Sequence, residues 1–109
     1  MGERNGCDYC VAAHTKMAEL VGMSDAEILA ARRGEMDDAR LTALLAFVRA
    51  LDEKRGFVDD GDIHALIDAG YGEPELIEIV AAYGLNTFTN YLNHVAQTDT
   101  DFPPAPSLS

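Results

Sequence analysis

Leu41, Leu44, Leu45, Val48 and Leu51 recur at the spacing i, i+3, i+4, i+7. That spacing lays apolar side chains along one side of an α-helix, whereas a strand would scatter them over both faces. The stripe predicts a helix opened by Asp37 or Asp38 and stopped at Lys54-Arg55-Gly56. A one-sided helix must bury its stripe against something. No stretch of this chain alternates in the manner of a half-buried strand, so the partners are expected to be helices too.

The flanking segments supply them. A first helix is expected from about Cys7 to Val21, capped by Asn5 and stopped at Gly22. Ser24-Asp25-Ala26-Glu27 is a capping-box sequence, opening a short helix that carries Ile28 and Leu29 inward and ends near Arg32 and Arg33, before Gly34. Asp59, Asp60 or Asp62 opens another, with Ile63, Leu66 and Ile67, closed by Gly70. The last and longest begins around Pro74, with Glu73, Glu75 and Glu78 at the positive end of its dipole. Leu76, Ile77, Val80, Tyr83, Phe88, Tyr91, Leu92 and Val95 give it apolar surface on more than one face, and part of that surface is expected to be buried by another subunit. Gly84 within it marks a bend or a close crossing. Prolines at 103, 104 and 106 forbid further helix. The reading is one all-α bundle of five helices over residues 1–98, followed by an extended tail over 99–109.

Composition narrows the function classes. Nineteen acids against eight bases give a formal charge of −11, which disfavours contact with a phosphate backbone. No apolar run approaches the roughly 20 residues of a membrane span, and the start carries no signal-peptide pattern. A soluble, cytoplasmic protein that binds neither nucleic acid nor membrane is expected. Arg32, Arg33, Arg40 and Arg49 are read as solvated charges on helix faces.

The chemistry is concentrated in Cys7-Asp8-Tyr9-Cys10-Val11-Ala12-Ala13-His14, which holds both cysteines and one of three histidines. On a helix, Cys7, Cys10 and His14 share one face, extended by Met17 and Val21, and point towards packed structure. Thiolates rather than thiols attack peroxides and disulfides, so a lowered pKa is required. Cys7, in the first turn, feels the positive helix end. Cys10, one turn before His14, has a base within reach. Oxidation of one sulfur allows the other to condense with it into a disulfide. Two buried apolar cysteines, or a zinc site, are the competing readings. The zinc site lacks a fourth ligand, since His64 and His94 are isolated along the chain. Haem attachment needs histidine directly after the second cysteine, where Val11 stands.

This octapeptide resembles the C-x-x-C-x-x-x-H signature of the alkylhydroperoxidase D-like proteins in the carboxymuconolactone decarboxylase superfamily. Leu85-Asn86-Thr87-Phe88-Thr89-Asn90-Tyr91-Leu92-Asn93-His94-Val95 and Thr98-Asp99-Thr100-Asp101-Phe102-Pro103 are similar to its peroxidase-related members. The resemblance implies an all-α alkylhydroperoxidase D-like bundle assembled into a homo-oligomer, trimer or hexamer. It also implies thiol-dependent peroxidase or disulfide oxidoreductase activity with no bound cofactor; no metal is expected, for want of the fourth ligand. A hydroperoxide would be the substrate and a dithiol or protein thiol the reductant. Cys7 and Cys10 would form the redox pair, with Cys10 attacking, Cys7 resolving and His14 relaying protons. The family's relay starts from a glutamate about a dozen residues before the first cysteine. Only six residues precede Cys7 here, and Glu3 is too near to match. Either the chain is a shortened form, or the relay is completed differently, for instance by a neighbouring subunit's carboxylate. A lactone decarboxylase, or a non-catalytic redox-sensing oligomeric module, are the alternatives.

Overall fold

The computed structural model describes residues 1–108. It contains the helices α1 (Gly2–Asn5), α2 (Asp8–Leu20), α3 (Asp25–Arg33), α4 (Ala39–Glu53), α5 (Asp60–Asp68) and α6 (Glu73–Ala96), and no strand among the described residues. The all-α expectation is met. The helix count differs by one, because the six residues before Cys7 form a helical turn of their own. Gly6 ends that turn with φ +64°, a left-handed conformation that costs glycine nothing.

The remaining boundaries follow their caps. Ser24 and Glu27 close their capping box: Glu27 accepts from the Ser24 backbone N–H and hydroxyl at 2.8 Å each, and the Glu27 N–H donates to Ser24 Oγ at 3.3 Å. Asp38 caps α4 by accepting from the Leu41 N–H at 2.9 Å. Asp59 caps α5 in a reciprocal box with Asp62. Lys54 reinforces that box, donating from Nζ to Asp59 at 3.0 Å and to Asp62 at 2.5 Å.

The chain divides into two compact units, one of Gly34–Ala82 and one of Met1–Arg33 with the segment from Tyr83 onward. In the first, α4 packs on α5, and Phe47, Leu51 and Leu66 are its buried apolar side chains. Phe47 lies outside the five-residue stripe, just beyond its edge, at i+3 from Leu44 and i−4 from Leu51. Leu41 instead sits near solvent. Arg40 is not simply solvated, since its guanidinium lies 4.6 Å from the centre of the Tyr71 ring.

In the other unit α2 packs against α1 and α3, burying Cys7, Cys10, Ala12 and Ile28. The tail has no helix beyond Ala96 and returns along the N-terminal helices. Arg32 donates to the Pro106 carbonyl at 2.7 Å and to Glu3 at 2.5 Å, and Arg33 to the Leu108 carbonyl at 3.1 Å. These arginines, read as solvated, hold the tail.

α6 is the longest helix and runs through Gly84 without interruption. No atom stands within 4 Å of where a Gly84 Cβ would be, so no close crossing within this chain explains the glycine. Ile77, Leu85, Phe88, Tyr91, Leu92 and Val95 are all more than half exposed, leaving a large apolar face uncovered by the chain itself.

Candidate functional site

Asn5 does not cap the cysteine helix. Cys7 does: it is the N-cap of α2, with extended backbone, and its sulfur accepts the Cys10 N–H at 3.2 Å. The reason is the turn of α1, which uses Asn5 and Gly6 and leaves Cys7 as the first residue able to cap. Asp8 in the first turn adds a carboxylate at the positive end of the helix. Cys10 falls in that same turn, and the two cysteines form a disulfide with their Cα atoms 5.2 Å apart. They are 2% and 3% exposed, so the bond is closed over by protein.

The expected common face is only partly formed. Cys7 and Cys10 are buried, but His14 is exposed, as are Met17 and Val21, 49% and 79% open to solvent. Beyond Cys10 the sheltered side of α2 turns through Ala12 instead. The His14 ring does not bond either sulfur. Its Nδ1 lies 2.8 Å from the Cys10 carbonyl oxygen. A carbonyl only accepts, so Nδ1 carries the proton and Nε2 is the basic nitrogen. Glu3, occupied by Arg32, does not reach His14.

What does reach the sulfur comes from α6. Asn93 Nδ2 donates to Cys10 Sγ at 3.4 Å and to the Thr89 carbonyl at 2.9 Å, while Asn93 Oδ1 accepts from the Thr98 hydroxyl at 2.7 Å. One turn earlier Asn90 is fully buried, and its Oδ1 accepts from Asn5 Nδ2 at 2.9 Å. Its own Nδ2 has no partner. Tyr9, between the cysteines, packs edge-to-face with Phe102, their ring centres 5.8 Å apart. Apart from the cap expected of Asn5, sequence reasoning gave none of these residues a role at the thiol pair. The signal was present: Asn86, Asn90 and Asn93 stand at i, i+4 and i+7, on one side of α6.

His64 and His94 are both exposed, and His94 stacks on Tyr91. Among the described residues no cluster of three or more His, Cys, Asp or Glu is arranged to hold a metal ion, and no helix is long and apolar enough to cross a membrane.

Residues 3–53 match the model of the carboxymuconolactone decarboxylase family. The match contains Cys7, Cys10 and His14. No curated protein matches the chain. Over residues 3–53 the chain is therefore similar to this family, and the disulfide is compatible with a redox role for the C-x-x-C pair.

Proposed function

With the carboxymuconolactone decarboxylase pattern over residues 3–53 as premise, we propose that this protein is a thiol-dependent peroxidase or disulfide oxidoreductase working through Cys7, Cys10 and His14. The observation that carries the reading is the Cys7–Cys10 disulfide across the first turn of α2. Backbone N–H groups and the positive helix end favour thiolate there.

In the reduced protein the Cys10 thiolate attacks the distal oxygen of a hydroperoxide. The O–O bond breaks, sulfur becomes sulfenic acid, and the departing alkoxide takes a proton to leave as alcohol. His14 Nε2, outside the short Nδ1 bond to the Cys10 carbonyl, is the group suited to passing that proton. The Cys7 sulfur then attacks the sulfenic sulfur, forming the disulfide and releasing water. An external dithiol supplies two electrons and two protons to reopen it, ending as a disulfide itself. No metal or organic cofactor is needed for this cycle.

Lactone decarboxylation, the reaction in the family's name, calls for acid–base groups and charge stabilisation rather than a thiol pair. The test is hydroperoxide consumption, and separately disulfide reduction, with a dithiol reductant in wild type and Cys10→Ser. Loss of both in the variant is expected, and unchanged turnover refutes the reading. Lactone decarboxylation that survives alkylation of both thiols would establish the alternative. The exposed apolar face of α6 fits the expected homo-oligomer, which sedimentation would size.

A further inference from the structure

The Asn93 amide has a defined orientation. Thr89 offers a carbonyl, which only accepts, so the nitrogen end must face it at 2.9 Å. The oxygen end then meets the Thr98 hydroxyl at 2.7 Å, which must donate. One N–H of the amide is committed to Thr89, and the other is aimed at Cys10 Sγ at 3.4 Å. A flipped amide would set two acceptors against each other.

An aimed donor does little for a disulfide sulfur, which is a weak acceptor. It does far more for a thiolate, where the bond becomes charge-assisted and roughly doubles in strength. Cys10 is 3% exposed, so water cannot readily supply that donor. Cys7 has its own, the Cys10 backbone N–H at 3.2 Å, which no side-chain substitution removes. Each sulfur thus has one N–H, and only that of Cys10 comes from a side chain 83 residues away.

We propose that Asn93 is a catalytic residue of the thiol pair, its amide N–H holding the negative charge on the Cys10 sulfur whenever the disulfide opens, with Thr98 as the positioning residue that aims it. This deepens the thiol-redox reading above and rests on it. When an external dithiol reduces the pair, its own sulfurs join, two electrons enter the Cys7–Cys10 bond, and Cys7 keeps one proton as thiol. Cys10 remains as thiolate, its proton passing to solvent. Favouring that form makes the disulfide easier to reduce and Cys10 the attacking sulfur.

The test titrates Cys10 alone, by thiolate ultraviolet absorbance, in full-length Cys7→Ser protein. Adding Asn93→Ala should raise the Cys10 pKa by about one unit or more, since a hydrogen bond to the charged form is lost. Asn93→Asp, which replaces the donor by a like charge, should raise it further. Thr98→Val, at an exposed position, should raise it less than Asn93→Ala without disturbing the fold. In protein with both cysteines, Asn93→Ala should shift the equilibrium with a glutathione redox buffer towards the disulfide. A packing role would lower the melting temperature and leave the thiol pKa and the redox equilibrium in place, and that result overturns the proposal. If Asn93→Ala fails to fold, an unchanged Cys10 pKa in Thr98→Val overturns it. Neither readout needs peroxide turnover. A shifted pKa in a protein that consumes no hydroperoxide sinks the peroxidase reading and leaves Asn93 in place. Cys10-dependent turnover with an unmoved pKa does the reverse.

Discussion

The buried Asn90 permits a prediction in which the larger chemical change does less harm. Its oxygen accepts from Asn5 at 2.9 Å, its nitrogen has no partner, and the side chain is wholly shielded from water. Asn5→Ala deletes the one donor and leaves both ends of the Asn90 amide unsatisfied. A buried polar group stripped of its partner costs about 1–3 kcal/mol, or a melting temperature lower by roughly 4–12 °C at about 4 °C per kcal/mol for a chain of this size. Asn90→Leu removes the orphaned nitrogen together with the oxygen. The Asn5 amide it leaves behind is only half-buried and can turn to water. The net change is expected within about 1 kcal/mol of zero, because replacing an unsatisfied buried amide by an apolar group of similar size returns its desolvation cost. Adding Asn5→Ala to Asn90→Leu should then cost under about 0.5 kcal/mol, so the pair couples strongly in a double-mutant cycle. Thermal melts followed by circular dichroism at one fixed protein concentration measure all four proteins. If Asn90→Leu melts below Asn5→Ala, the Asn90 nitrogen is satisfied in solution and the reasoning fails.

Leu66, 2% exposed in the α4–α5 core, should cost about 2–4 kcal/mol when cut to alanine, whereas its neighbour Ile67, 54% exposed, should cost under about 1 kcal/mol; urea melts distinguish them. Asp38→Ala removes the α4 cap and should lose about 1 kcal/mol with a small drop in helicity by circular dichroism. Hydrogen bonds from Lys54 hold the Asp59 carboxyl below its ordinary pKa, and hydrogen bonds to Asp62 and then Asp59 raise that of Lys54. The Asp59 contribution is therefore complete above the ordinary carboxylate pKa and lost as acid titrates through the lowered value, while that of Lys54 is complete below its ordinary value and lost in strong base. Lys54→Met should flatten both limbs of a stability–pH curve, and an unchanged acid limb would exclude the ion pair from stability.

The helices were legible wherever a cap and a stripe coincided. Asp38, Asp59 and Ser24 each place a side-chain acceptor where the first turn needs one, and those helices start where the sequence puts them. The thiol helix was misjudged by one step, because Asn5 and Cys7 both can cap and only the turn of α1 decides between them. His14 was expected at the sulfurs on spacing alone. Spacing fixes the side of a helix but not a rotamer, and this ring found its own i−4 carbonyl, a local bond always on offer to such a side chain. The spacing of Asn86, Asn90 and Asn93 marks a polar side of α6, but the contact of Asn93 with Cys10 lay beyond sequence reasoning for the opposite reason. Its partner is 83 residues away, and no local pattern encodes such a meeting.

The polarity of α6 in its second half bears on how the sulfurs are held. Leu85, Phe88, Leu92 and Val95 point out, while Asn90 and Asn93 face the start of the chain. Apolar contacts there would tolerate a slide or rotation of the helix at little cost, because they are short-ranged and undirected. An amide–amide bond at 2.9 Å and an amide–sulfur bond at 3.4 Å, one turn apart, tolerate neither. The orphaned Asn90 nitrogen measures part of the stability given up for this register. On the thiol-redox proposal, Cys10 alternates between a bond to Cys7 and a charge of its own, and would need its donor in the same place in both states. Directional polar contacts on the inner face would supply that, while the apolar side chains of the outer face stay exposed.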